Sequence, residues 1–462
     1  NNHGIIRINT DCLTANNMLN TQFGYWENIN DGTKHLRVKD EYYIPKQLSE
    51  HLNFISPTLR FPIRKHTIKI SKLSDNDITN NNDGSSIYIM PSTLMSLYNI
   101  DSYKEVESSL DDININRQGI GSFLNEFYSD NDLEYFENKF KLEYTKTERV
   151  GDQPSGFGDE AELDVEYITT TGNNIFTYVF YNNDDDMFIT MATTILNDYS
   201  NALPYVISIS YGGDETDMTY EWANTCNNYF GQLSLLGVTI FASAGDSGVC
   251  DESGECIDNK FVPAFPASSP YVTSVGGTKI LNNIEYAWEY SGGGFSTLFD
   301  RPSWQDNAVS NYLNTVSILP DKSRFNINGR GYPDISAVSV DYVICIQESF
   351  YLVSGTSCSS PTIAGMISKI NSHRLANGLA PLGFLNPLLY TIYDDIMNNI
   401  DTNKYFNDIT SGYNIGCSID NNIGFYASKG WDPITGVGSP NFELLLQRLL
   451  DTQDVIIKSH AK

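Results

Sequence analysis

The segments YVISISYGG (205–213), TYEWANTCNNYFGQLSLLG (219–237), GVTIFASAGDSG (237–248) and YVTSVGG (271–277) decide the fold. The first, third and fourth are short apolar runs rich in β-branched residues that end at Gly, as buried strands do. The second carries its apolar residues at helical spacing. Strands alternating with helices in this way require a parallel α/β sheet. In such sheets functional side chains collect where the strands end, at the carboxyl edge.

Further along, YLVSGTSCSSPTIAGMISKINSHR (351–374) reads as a strand, a Gly turn and a helix beginning around Ser357, with Pro361 in the first turn. Ser357 would then sit at a helix N-terminus, where unpaired backbone N–H groups and the helix dipole favour negative charge developing on an acyl group. Taken alone, an S-G-T-S stretch is more commonly an N-cap. The Gly-Thr-Ser-x-x-x-Pro frame is closer to that of a subtilisin-like nucleophile.

A serine nucleophile needs a base, ordinarily a histidine. The six histidines are His3, His35, His51, His66, His373 and His460. His373 lies sixteen residues after Ser357, roughly 24 Å along a continuous helix at about 1.5 Å per residue. The others lie far away in sequence, so carboxylates become the candidates. In GDEAELDVEYI (158–168), Glu160 and Asp164 share a helix face with Ala161, Val165 and Ile168, while Asp159, Glu162 and Glu166 share the opposite one. Two acids on an apolar face repel each other and lose hydration, which raises the pKa of one, as an acid-range base and its partner require. A charged, solvated helix is the competing reading. Asp246, in the Gly-flanked turn FASAGDSG, follows a strand end. Protonated, it could donate a hydrogen bond to an oxyanion, although an Asp beside Gly more often stabilises its own turn.

The chain has 462 residues and a formal charge of -28, from 29 basic and 57 acidic side chains. That charge excludes a general nucleic-acid binder and fits an acidic working pH. The charge is unevenly spread. Residues 1–83 hold 10 Lys and Arg against 9 Asp and Glu, leaving 19 against 48 for the rest. Between them, LSDNDITNNNDGSS (73–86) reads as an exposed linker. A near-neutral module with a basic run at Arg60, Arg64, Lys65, Lys69 and Lys72 thus precedes a strongly acidic one, and their attraction should weaken as carboxylates protonate. No apolar run is long enough to span a membrane, and the chain does not begin with Met, which leads us to expect a processed or truncated product. Among seven cysteines, Cys250, Cys256 and Cys417 are the expected disulfide participants. There is no Asn-x-Ser/Thr sequon.

EAELDVEYI, SISYGGDE, FASAGDSG, FPASSPYVTSVGGT, SGGGFSTLFDRPSWQ, YPDISAVS, SGTSCSSP, PLGFLNPLLY and GWDPITGVGSPNF, in this order, resemble the sedolisin family of serine-carboxyl peptidases from about residue 88 to 445. Residues 5–66 resemble the C-terminal part of the family's propeptide. The resemblance implies a subtilisin-like parallel sheet flanked by helices (85–462) after a partial α+β propeptide with linker (1–84). It implies Glu160 as general base, Asp164 as its orienting partner, Ser357 as nucleophile and Asp246 as oxyanion donor. It also implies one structural Ca²⁺ held by the Asp408 and Asp432 carboxylates and the carbonyls of Ile409, Ser428 and Gly430, with Ser428 standing where Gly is usual. The expected activity is release of tripeptides from free N-termini of peptides or unfolded proteins, in a lysosomal or secreted acidic compartment. The propeptide would act as an intramolecular inhibitor, cut near residues 80–88. An acid endopeptidase and a catalytically inactive binding relative are the alternatives.

Overall fold

Eight strands make up the central sheet of the computed structural model, which describes residues 4–29, 32–63, 69–74, 87–100, 116–151, 158–417 and 423–451. From one edge they run Ile284–Ala287, Thr273–Leu281, Thr239–Ser243, Val206–Ile209, Arg117–Ser122, Phe176–Tyr181 and Thr147–Val150, with Ile335–Val338 also paired to Thr273–Leu281. All pairings are parallel except that of the Ile284–Ala287 edge strand. This is the subtilisin-like α/β architecture expected from the sequence.

The apolar runs are continuous because both faces of the sheet are covered. Val206 and Phe241 join one core with the helices Asp159–Thr171 and Thr356–Ala376. Ile207, Ile209, Ile240 and Ala242 point the other way, into a second core with the helices Met187–Asp198 and Tyr220–Leu235. The first two helices lie unusually close. A Cβ at Gly365 would come within 2.2 Å of Thr171 Oγ1, so only Gly fits there. That contact fixes Glu160 and Asp164 against the Ser357 helix.

The N-terminal part has a helix, Cys12–Leu19, capped by Asp11, and a hairpin of Phe23–Glu27 with Lys34–Val38. Its last strand, Lys69–Lys72, pairs antiparallel with Ser349–Ser354 of the larger part, Lys69 opposite Ser354. The expected attraction between the two parts takes the form of ion pairs from Arg37 to Asp185 at 2.6 Å and Arg60 to Asp186 at 3.2 Å. Arg64 and Lys65 of the basic run, residues 75–86 of the linker and most of the expected cleavage region lie outside the described residues. Cys256 and Cys417 form a disulfide, while Cys250, also expected to take part, is a buried free thiol.

Candidate active site

Helix Asp159–Thr171 starts after Gly158, where the backbone presses so closely on Glu126 that a Cβ would lie 1.8 Å from its Oε2. Every residue from Glu160 to Thr171 is buried. The sequence suggested an apolar face and an opposite acidic one, but the helix has no wet side. Its second flank is covered by the helix Asp130–Phe140 and the strand Tyr342–Ile346, so Glu162 and Glu166 are as buried as Glu160 and Asp164.

Ser357 lies in the first turn of helix Thr356–Ala376, behind the N-cap Gly355, and is 1% exposed. Its side chain faces the Glu160 carboxyl. Burial holds Glu160 well above the ordinary carboxyl range, the neighbouring Asp164 raises it further, and the nearby Ser357 hydroxyl opposes both. Burial likewise raises Asp164, against a hydrogen bond donated by Ser210 Oγ to its Oδ1 at 2.5 Å. Glu160 Oε1 and Asp164 Oδ2 have no hydrogen-bond partner among the described residues. Two coupled carboxyls sharing a proton are the natural way to satisfy such a pair. Pro361 sits one turn deeper than expected, and the helical acceptor it leaves without a donor is the Ser357 carbonyl.

Asp246 is tied to the same helix. Its Oδ1 accepts from the Thr356 backbone N–H at 2.7 Å and from Thr356 Oγ1 at 2.9 Å. Its Oδ2 lies over Gly355, where a Cβ would approach to 2.7 Å. The structure therefore brings Glu160, Asp164, Asp246 and Ser357 together. Sequence reasoning missed the groups that hold them: Ser210, Thr356 and Glu126, whose Oε2 accepts from the Glu160 backbone N–H at 3.2 Å. Ser210 and Thr356 could have been suspected as hydroxyls beside a strand end and the nucleophile, but Glu126 carries no local signal. Among the described histidines, His35 and His51 belong to the N-terminal part. His373 is buried at the far end of the Ser357 helix, its pKa pushed down to about 4 by burial.

Asp408 and Asp432 flank one short turn. The Gly430 N–H donates to both Asp408 oxygens at 3.1 Å, and the Ser428 N–H donates to Asp432 Oδ2 at 3.0 Å. Burial raises both carboxyls, Asp432 to about 7. Ile409 is buried beside them, and Gly430 has a φ of +82° that favours Gly. Among the described residues neither carboxylate has an ion pair, although the Lys429 charge acts on Asp408, and two buried carboxylates with no soft ligand beside them fit a hard divalent cation.

Residues 1–61 match the Pro-kumamolisin activation domain and residues 171–387 match the Subtilase family. The latter match includes Asp246 and Ser357 and begins where the Glu160 helix ends. Tripeptidyl-peptidase 1 of Bos taurus is 36% identical over 91% of this chain and 74% of that protein. Tripeptidyl-peptidase 1 of Homo sapiens is 35% identical over 90% and 73%. Tripeptidyl-peptidase sed4 of Aspergillus fumigatus is 33% identical over 96% and 81%. Among solved structures, Pseudomonas sedolisin, a serine-carboxyl proteinase complexed with pseudo-iodotyrostatin, matches with a TM-score of 0.63 and 22% identity over 80% of this chain and all of that one.

Proposed function

Because the chain belongs to the sedolisin family of serine-carboxyl peptidases, we propose that it releases tripeptides from free N-termini of peptides and unfolded proteins at acid pH. The observation that carries this reading is the buried Glu160 carboxyl beside the Ser357 side chain, where a histidine peptidase would hold an imidazole.

In the reactive state the shared proton rests on Asp164 and Glu160 is ionised. Ser357 Oγ attacks the scissile carbonyl while Glu160, held ionised beforehand by a hydrogen bond from protonated Asp164, takes its proton, and the negative charge passes to the oxyanion. Protonated Asp246 donates to the oxyanion, which an ionised Asp246 would repel. Glu160 then returns its proton to the leaving amine, and water repeats the sequence on the acyl-enzyme. Activity needs a proton on Asp246 and one on the Glu160–Asp164 pair, which places it in acid. A lysosomal or secreted acidic compartment suits that requirement. No described helix is long and apolar enough to cross a membrane.

Residues 1–84 act in this reading as the inhibitory propeptide with its linker and 85–462 as the peptidase. The strand Lys69–Lys72 pairs up to Ser354, three residues before the nucleophile, which supports the inhibitory role. Asp408 and Asp432, with the carbonyls of Ile409, Ser428 and Gly430, would hold one Ca²⁺ whose charge offsets the two buried carboxylates and stiffens that turn.

The test is hydrolysis by the matured enzyme at about pH 4, where ordinary carboxyls titrate. A peptide with a free N-terminal amine should be cut after its third residue, its N-acetylated twin hardly at all, and Ser357→Ala should cut neither. Equal turnover of the twins would reject the exopeptidase reading in favour of an endopeptidase. An active Ser357→Ala enzyme would reject the site.

A further inference from the structure

The acidic run Asp184–Asp186 follows the carboxyl end of strand Phe176–Tyr181, on the edge of the sheet that carries the active site. Asp186 is held there by Trp222, whose indole Nε1 donates to Asp186 Oδ1 at 2.8 Å. Into this corner the N-terminal part inserts Arg60. Its Nη2 lies 3.2 Å from Asp186 Oδ1 and also donates to the Asp185 carbonyl, and its guanidinium sits 4.0 Å from the centre of the Trp222 ring. The Arg60 side chain is only 8% exposed, yet its Nε has no hydrogen-bond partner among the described residues. The corner therefore satisfies one end of a planar five-donor group. A carboxylate, a carbonyl and an aromatic face suit a compact ammonium better.

The position suits it too. Three residues after Arg60, Ile63 packs against Gly213, three residues past the Ser210 that bonds Asp164. Lys69 then pairs with Ser354, three residues before Ser357. The segment from Arg60 to Lys69 thus starts at the acidic corner and ends beside the nucleophile. One strand, Arg117–Ser122, separates Phe176–Tyr181 from Val206–Ile209, whose end leads to Ser210. Two strand spacings are about 10 Å, the length of three extended residues.

We propose that once the propeptide leaves, the corner formed by Asp186, the Asp185 carbonyl and Trp222 binds the α-ammonium of the substrate and thereby sets the three-residue product length. Arg60 is the group that fills this subsite before maturation. The inference rests on the tripeptidyl reading above.

The matured enzyme tests it. Asp186→Asn should raise KM for a free-amine substrate about tenfold or more by removing a charge-assisted bond, with kcat within about threefold. Asp186→Glu should recover part of that loss. N-acetyl-arginine amide, mimicking Arg60, should compete with the free-amine substrate in the unmodified enzyme, an outcome independent of how any variant folds. If the unmodified enzyme strictly requires a free amine while Asp186→Asn leaves KM unchanged and the amide does not compete, the corner serves propeptide docking alone and the proposal falls. If the unmodified enzyme cuts the N-acetylated twin equally well, the tripeptidyl reading itself has failed.

Discussion

Two acid pairs sit on one helix, each at i and i+4, and all four carboxyls are at most 2% exposed. Burial is the largest cause raising each of them. Their partners separate them. Glu160 and Asp164 meet hydroxyls, those of Ser357 and Ser210. Glu162 meets the Ser129 backbone N–H at 2.7 Å, and Glu166 takes the Cys345 N–H at 3.1 Å on both oxygens. Asp132, beside Glu162, likewise anchors the Gln347 and Glu348 N–H groups. A backbone amide cannot surrender its proton at any working pH, whereas a hydroxyl on its way to becoming an ester can. A raised carboxyl pKa therefore marks burial on both sides of this helix and, in the proposed mechanism, chemistry on only one.

The largest expected effect tests that division. Glu160→Gln should lower kcat about 10²- to 10⁴-fold, the range for losing a positioned general base, while leaving thermal stability equal or better. Glu162→Gln should keep kcat within a few-fold, since its amide oxygen can accept from Ser129 and its NH2 can donate to Asp132. Steady-state kinetics on both variants decides it, and similar losses from the two would erase the distinction between the pairs.

A smaller effect concerns stability against pH. Burial raises Glu162 and Glu166 in the folded state, and raises Glu137 to about 7, above the roughly 4.3 of a glutamate in the unfolded chain. Between those values the folded protein binds more protons than the unfolded one. Stability from the neutral forms is thus complete below about pH 4.3 and is lost as pH rises toward the folded-state values. Melting of a Ser357→Ala protein, which cannot digest itself, should show Tm falling from pH 4.5 to pH 7. Adding Glu162→Gln should shrink that fall by a few degrees, because one of the carboxyls no longer ionises. An unchanged slope would show that the far-side pair carries none of the acid preference.

Much of this was legible in the sequence because the signals were local. The 205–277 segments announced a parallel sheet through their Gly-ended apolar runs, and Ser357, Asp246 and the Glu160–Asp164 spacing each sit in a short motif. What stayed hidden depends on contacts made across the fold. Helical periodicity assumes a wet face, so a helix buried all round made Glu162 and Glu166 look solvated. Cys250 and Cys256 are equally near Cys417 in sequence terms, and only the packing of the 248–262 turn selects Cys256. Glu126 reaches the site from a loop 34 residues before Glu160, with nothing around it to betray the contact.

The smallest predicted effect returns to the hydroxyl side of the comparison. Ser210 donates to Asp164 Oδ1, which favours the ionised form of Asp164 and so lowers the acid range of the coupled pair. Ser210→Ala removes that bond without disturbing Ser357 or Asp246. A buried hydrogen bond is worth about 1 kcal/mol net, a little under one pKa unit. The acid limb of the kcat/KM profile, where the pair gives up its first proton, should then move to higher pH by roughly 0.5 to 1 unit, while kcat at the optimum changes only a few-fold. The direction is the informative part. A limb that shifts to lower pH, or stays fixed while kcat collapses, would mean that Ser210 positions Asp164 sterically and that the hydroxyls are not what tunes the pair.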